Sequence, residues 1–382
     1  MDTVNRVVIT GATGNVGVFA TLSLARLGVV DELFVAARNP EKVNDVFYNS
    51  QVNSLMRGHA TKFHSLKINI ENDSEVENIL GEIKPTLVLN CAAGLSLYPF
   101  FPALRSRQKR VGMIPGFSHT LPKDMLLLYP LMKGIRKSCP ETLVVNLSAP
   151  DIASYILSPL GLSPDIGAGT LDSTVQGVRL KLSNDLNIIP TRIDVLMVAH
   201  HALRRYPANQ VPYAIQISVD GKDVTSDYSA EDIDKLINFA TDTTGVETEN
   251  SPMSSNSYIT AASGVETTYA ILTDSRVIRH GSGFKGTSGA MPIKIARTSI
   301  EPILPKGLSY LDAQYINDAG MRLDGLDYVD SNGKVYFTEK ESEWIKDGLG
   351  LDWGNFIDIE NSKQLCDELT AAYILMRKEE NV

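Results

Sequence analysis

The chain has little cysteine, little tryptophan and no surplus of positive charge. Its 382 residues include 3 Cys and 2 Trp, and 45 acidic against 36 basic side chains leave a formal charge of -9 at pH 7. Cys91, Cys139 and Cys366 are odd in number, far apart and outside any CxxC spacing. That excludes a disulfide framework and fits reduced thiols used in packing. An acidic chain lacks the broad cationic face that a phosphate backbone demands, so nucleic acid is not an expected partner. No apolar run approaches the roughly 20 residues needed to span a bilayer. Met1 to Thr3 leads into a strand pattern without the basic and apolar regions of a secretory leader, so the expected location is the cytoplasm, with no membrane partner. His59 and His64 are five apart and His200 and His201 adjacent, but no HExxH or Cys/His set accompanies them, and no metal is expected.

What remains is a globular composition, 43% hydrophobic and 21% charged, with a length that fits two domains. The β-branched run Arg6 to Thr10 feeds into Gly11-Ala-Thr-Gly14-Asn-Val-Gly17, and Val18 to Leu27 follows with helical apolar spacing. A second strand pattern at Asp31 to Ala37 stands at the distance a βαβ unit requires. Glycines in such a turn let a pyrophosphate approach main-chain N–H groups at a helix N-terminus. Gly11, Thr13, Gly14, Asn15, Val16 and Gly17 are therefore the expected dinucleotide-binding residues. The second strand ends Ala37-Arg38-Asn39, with a base where a ribose-binding acid would stand, which favours NADP(H) and leaves NAD(H) possible. Helix Ser74 to Ile83 and strand Thr86 to Asn90 come next, the strand ending in the small residues Cys91, Ala92, Ala93 and Gly94, which give the cofactor close access to the backbone. Leu95 to Leu121 has the length of a lid loop and carries Arg105, Arg107, Lys109 and Arg110. Helix Met125 to Ser138 and strand Thr142 to Asn146 complete a Rossmann-type doubly wound parallel α/β sheet, expected over residues 1–149.

From Val144 to Arg179 the chain reads VVNLSAPDIASYILSPLGLSPDIGAGTLDSTVQGVR, and Leu196 to Pro207 reads LMVAHHALRRYP. With the glycine motif in front and Val211 to Thr225 behind, this order resembles the lactate and malate dehydrogenase family. The resemblance implies an α+β catalytic domain over 150–382, a small-molecule substrate and a homodimer or homotetramer. It also implies hydride transfer between the nicotinamide and a ketone or secondary alcohol. Such transfer needs a group that takes or gives the hydroxyl proton, and imidazole suits both directions near pH 7. His201 matches the family's histidine and Asp172 the carboxylate that orients it. His200 replaces an acidic neighbour, which leaves an exchange of roles between the two histidines open. Ser148, or in another register Asn146, matches the asparagine beside the nicotinamide. Val175 stands where the family has the arginine that grips a substrate carboxylate as a bidentate fork. A simple 2-hydroxy acid is therefore not the expected substrate, unless Arg105, Arg107, Lys109, Arg110, His119 or Lys123 supplies the charge. Tyr258, with Asn256, Ser257 and Thr260, matches a stretch that lines the substrate pocket.

Two other readings stand beside this one. The first 95 residues also resemble extended short-chain dehydrogenases, and Tyr129 and Lys133 have the spacing of that family's Tyr-x-x-x-Lys pair, in which lysine favours a phenolate base. A non-catalytic NADP-binding sensor would account for Val175. Further on, helices are expected at Ala230 to Ala240, Ala261 to Leu272, Glu339 to Lys346 and Ser362 to Arg377, the last with an apolar face of Leu365, Leu369, Tyr373 and Leu375. An edge strand is expected at Met291 to Ile295 and a hairpin turn at Asn332-Gly333.

Overall fold

The computed structural model describes residues 4–244 and 255–380. In the first half, strands β1 (Arg6–Thr10), β2 (Glu32–Ala37), β3 (Lys62–Lys67), β4 (Leu87–Asn90), β5 (Leu143–Asn146) and β6 (Ile166–Gly167) alternate with helices. These are α1 (Asn15–Leu24), α2 (Pro40–Leu55), α3 (Asp73–Ile83), α4 (Phe101–Val111), α5 (Leu121–Ser138) and α6 (Pro150–Leu157). The strands pair in parallel in the order β3-β2-β1-β4-β5-β6. Side chains alternate across β1: Val7 and Ile9 pack into the core on one face, Val8 into the core on the other. Both faces are covered by helices, which is why these strands read as unbroken apolar runs. The order reverses at β1, between β2 and β4, and a crevice opens at the carboxyl ends of β1 and β4.

The same sheet continues into the second half, which contributes α7 (Thr170–Leu186), β7 (Ile193–Ala199), β8 (Tyr213–Val219), β9 (Lys222–Asp223), α8 (Ala230–Thr244), α9 (Ser255–Leu272), β10 (Val277–Ser282), β11 (Ala290–Ile295), β12 (Ile300–Pro302) and α10 (Tyr310–Leu323). Antiparallel pairing extends the sheet from β6 through β10, β11, β7, β8 and β9, with β12 also on β11. Met291 to Ile295 is therefore an interior strand, against expectation. Its mostly buried residues gave the apolar signal, but only the tertiary pairing shows neighbours on both sides.

The last segment adds β13 (Leu326–Val329), β14 (Lys334–Phe337), α11 (Glu339–Glu343), β15 (Phe356–Asp358) and α12 (Ser362–Glu379). The three strands form a separate antiparallel sheet, turning at Asn332-Gly333 as expected. Although this segment follows the second half in sequence, it returns to the first half. Leu326, Val335, Phe337, Ile357 and Leu365 share a core with Val8, Val88 and Val144. Leu369 and Tyr373 of α12 bury beside Phe100 and Leu104, whereas Leu375 is exposed. The expected lid loop is thus largely helical, and α4 is anchored by the C-terminal helix. Arg107 is buried there, binding Glu379, Glu380 and the Gly348 carbonyl, and Arg110 pairs with Glu380. Neither arginine serves the substrate role allowed for it, because both are committed to the chain's own carboxylates.

Candidate active site

A cleft of about 1220 Å³ opens along the carboxyl ends of the parallel strands. One wall is the glycine turn. Gly11 has φ +67°, and a Cβ there would lie 2.7 Å from the Ala92 Cα, so the turn and the end of β4 touch backbone to backbone. The α1 N-terminus starts at Gly14 without a side-chain cap, which leaves main-chain N–H groups for an outside acceptor. Gly11, Thr13, Gly14, Asn15, Val16, Ala92 and Ala93 all line the cleft. An uncapped helix start in a glycine turn that lines the cleft fits a dinucleotide pyrophosphate. Gly17 and Gly94 do not line it. A Cβ on Gly17 would strike the Gly11 carbonyl oxygen at 2.1 Å and one on Gly94 the Lys123 carbonyl oxygen at 2.7 Å, so both are packing glycines.

Arg38 lines the cleft at the end of β2 with Asn39 and Lys42. Its guanidinium donates to Glu71 Oε1 at 2.5 Å. Sequence reading missed Glu71, because the residue comes from the loop after β3 and reaches Arg38 only across the sheet.

The same cleft is lined by His201, in the short 3-10 turn that follows β7. Its Nδ1 lies 3.0 Å from Oδ2 of Asp324, at the end of α10. Burial alone would push the Asp324 carboxyl up. The fields of His201, His200 and Arg205 and the His201 hydrogen bond outweigh that and hold it at about 2, so it is an anion. The main-chain carbonyl of Asp324 accepts from the N–H groups of Phe117 and Ser118 and from Ser118 Oγ. The Phe117 ring packs 5.0 Å from the His201 ring, centroid to centroid. One residue thus orients the imidazole and also secures the segment that covers it.

The expected partner of His201, Asp172, is placed elsewhere. It is buried on α7 and accepts from Ser263 Oγ at 2.9 Å, and its field acts on His280. Local order in the sequence matched a family pattern, but the carboxylate that reaches His201 lies 123 residues downstream. An exchange of roles with His200 is not supported either. His200 is buried, its Nδ1 accepts from the Ala202 N–H, and burial lowers its pKa, keeping it neutral.

Other expected residues also lie away from the cleft. Ser148 is buried and donates to Asp124 Oδ1 at 2.7 Å, and Asn146 is buried in a cross-strand amide pair with Asn90. His119 is enclosed between Glu341 (2.7 Å) and Tyr373 (2.9 Å) and cannot meet substrate. Val175 is buried in the core between α7 and α8, consistent with a packing residue. Tyr258 is exposed against Phe19 of α1 and is not in the cleft wall, although Ser257 is. The side chain of Asn256 lies outside the described residues. Arg105 and Lys123 do line the cleft, Lys123 pairing with Asp124.

Tyr129 and Lys133 fail as a catalytic pair. Tyr129 donates to Glu360 and Lys133 pairs with Asp73, neither lines the cleft, and burial with the Glu360 charge raises the phenol's pKa, opposite to what a phenolate base needs. Arg204 and Arg205, three and four residues past His201, line the cleft instead and were not singled out from sequence. The signal was present in LMVAHHALRRYP, where two arginines follow the histidine pair.

Among the described residues no helix is long and apolar enough to cross a membrane, and no group of three His, Cys, Asp or Glu side chains is arranged to hold a metal ion. No protein-family model matches the chain. No curated protein matches it in sequence. Solved structures do match it in fold. The malate dehydrogenase of Aeropyrum pernix is 20% identical at TM-score 0.57, with 83% of this chain and 97% of that one covered. The lactate dehydrogenase of Cryptosporidium parvum, in complex with lactic acid and nicotinamide adenine dinucleotide, is 20% identical at TM-score 0.58, with 85% and 99% covered. The malate dehydrogenase of Picrophilus torridus is 16% identical at TM-score 0.56, with 97% and 99% covered. The chain has the lactate/malate dehydrogenase fold.

Proposed function

We propose that the protein is an NAD(P)-dependent oxidoreductase that interconverts a ketone and a secondary alcohol, with His201 as its acid/base and Asp324 as the residue that orients it. One observation carries this reading: His201 and the glycine turn line a single cleft. When bound, the nicotinamide accepts or supplies the hydride. His201 handles the proton. With Nδ1–H donating to Asp324, Nε2 takes the hydroxyl proton during oxidation and returns it to the forming alkoxide during reduction. Gly11, Thr13, Gly14, Asn15 and Val16 would hold the pyrophosphate, and Ala92 and Ala93 let the dinucleotide lie close to the end of β4. The non-catalytic sensor reading leaves a buried carboxylate directed at a cleft-lining imidazole without a purpose.

Within this reading the preferred cofactor is NADP(H), with Arg38 and Lys42 flanking a 2′-phosphate. The Arg38–Glu71 ion pair favours a second reading, NAD(H), in which Glu71 supplies the carboxylate that β2 lacks. A cytoplasmic location and a homodimer or homotetramer belong to the same proposal. Fluorescence titration with both reduced cofactors distinguishes the two readings. NADPH binding at least about tenfold tighter than NADH, lost in Arg38→Ala, supports the first, and the reverse order supports the second. Turnover on a panel of ketones that survives His201→Ala unchanged would remove the histidine from the mechanism.

A further inference from the structure

The main-chain N–H groups from Gly116 to His119 all end on two residues of the stretch that follows α10. The Asp324 carbonyl accepts from Phe117 and Ser118. Glu341, in α11, takes the other two: its Oε2 accepts from the Gly116 N–H at 2.7 Å and its Oε1 from the His119 N–H at 2.9 Å. Oε1 also accepts from His119 Nδ1 at 2.7 Å, and Nε2 of the same ring lies 2.9 Å from the Tyr373 hydroxyl of α12. Glu341 is 1% exposed, so its carboxylate serves the chain's own donors. A buried carboxylate is tolerated when its oxygens are satisfied, and here three donors from one short stretch satisfy them. Glycine permits the close approach: a Cβ on Gly116 would strike the Asp324 carbonyl oxygen, and one on Gly325, at φ +95°, would lie 2.6 Å from the Glu341 Cδ. The only regular structure in the stretch is the 3-10 turn Ser118–Thr120, so these anchors fix its path. What it carries is Phe117, which lines the cleft and packs its ring 5.0 Å from that of His201.

We propose that Glu341 is a positioning residue for His201: it fixes Gly116 and His119, and through them holds the Phe117 ring against the imidazole. Asp324 binds Nδ1, and Phe117 keeps the ring from swinging away from that carboxylate, so the two constraints together set where Nε2 stands. Glu341 itself does not line the cleft, and its effect is carried by the main chain of the covering stretch. This deepens the oxidoreductase reading and rests on it for the proton that His201 moves. It also gives the C-terminal segment a share in the site, since α11 supplies the carboxylate and α12 the hydroxyl that closes the His119 ring in.

The test combines the NMR signal of the His201 ring with kinetics, both on the full-length protein. The chain has 6 His, and His201→Gln assigns the signal of that ring's Cε1–H in isotope-labelled protein. The Phe117 ring is close enough to displace this signal, so Phe117→Leu moves it. At a pH above its titration, Glu341→Gln is expected to move it in the same direction and by a comparable amount. Tyr373→Phe leaves all three donors to Glu341 in place and is expected to leave the signal where it was. On the best ketone of the panel, Glu341→Gln lowers kcat by at least about tenfold, the scale of one lost hydrogen bond to a charged group, with KM for the reduced cofactor unchanged. Phe117→Leu loses a similar amount, and the double variant no more than either single one. An unmoved His201 signal in Glu341→Gln, a loss confined to cofactor KM, or additive losses in the double variant would each overturn the proposal. Where Glu341→Gln does not fold, Glu341→Asp, which keeps the charge and shortens its reach, is held to the same criteria. The signal needs no turnover, so its displacement in a chain inactive on every ketone separates failure of the dehydrogenase reading from failure of this one.

Discussion

Replacing Asp324 by asparagine tests the centre of the proposed mechanism with nearly unchanged shape. The main-chain carbonyl that holds Phe117 and Ser118 is untouched by the substitution, so the cover over His201 stays in place. What disappears is a buried anion 3.0 Å from Nδ1. Against the opposing effect of burial, His201, His200 and Arg205 hold its carboxyl down from 3.8 to about 2, a net preference for the anion of roughly 2 to 3 kcal/mol at 1.36 kcal/mol per unit. If a comparable share supports the imidazolium formed during alcohol oxidation, kcat/KM falls by about 30- to 100-fold. The amide can also donate to Nδ1 and so present the wrong tautomer, which acts in the same direction. The assay follows NAD(P)H absorbance with the best ketone found in a panel, alongside Asp172→Asn, which is expected to leave kcat/KM within about threefold because Asp172 faces Ser263. Cofactor affinity should not change in either variant. Equal rates for wild type and Asp324→Asn, or a greater loss in Asp172→Asn, would refute the assignment of the orienting carboxylate.

Gly11→Ala should weaken dinucleotide binding by at least about tenfold, since it combines a positive φ with a Cβ 2.7 Å from the Ala92 Cα. Gly58→Ala, also at positive φ but with nothing within 4 Å, is the control and should bind normally by fluorescence titration. A second expectation concerns acid stability. His280 is buried and its Nε2 accepts from the Met197 N–H; burial holds its pKa at about 4, with the Asp172 field opposing. The folded value lies below the ordinary 6.5, so the unfolded chain binds the extra proton. The contribution is therefore present above pH 6.5 and is lost as pH falls toward 4, about 3 kcal/mol at full extent. Buried His200 acts in the same direction. Urea unfolding at pH 7 and pH 4.5 should show a smaller difference for His280→Gln than for wild type, and an unchanged difference would contradict the neutral buried ring.

The local part of the molecule was readable from residues in order. A β-branched strand, a glycine turn and an amphipathic helix dictate one another through short-range sterics and hydrogen bonding, so the strand–turn–helix start and the parallel half of the sheet followed from periodicity and spacing. His201 was singled out as a histidine at a strand end in a recognisable order of segments, and it lines the cleft. Its partner was not. Asp324 lies after the last helix of the second half, and Glu71 sits beyond a neighbouring strand. Each meets its partner only because the sheet brings separate strand and helix ends to one edge. The same reason explains why Asp172, Ser148, His119 and Val175 lie buried away from the cleft. Residue type and spacing do not report whether a side chain faces a cleft or a packed core, and four of four here were enclosed by segments distant in sequence. Chain order determined the elements and the order of the parallel strands, whereas burial across long-range contacts decided which charges survive as free chemistry and which are neutralised inside the protein.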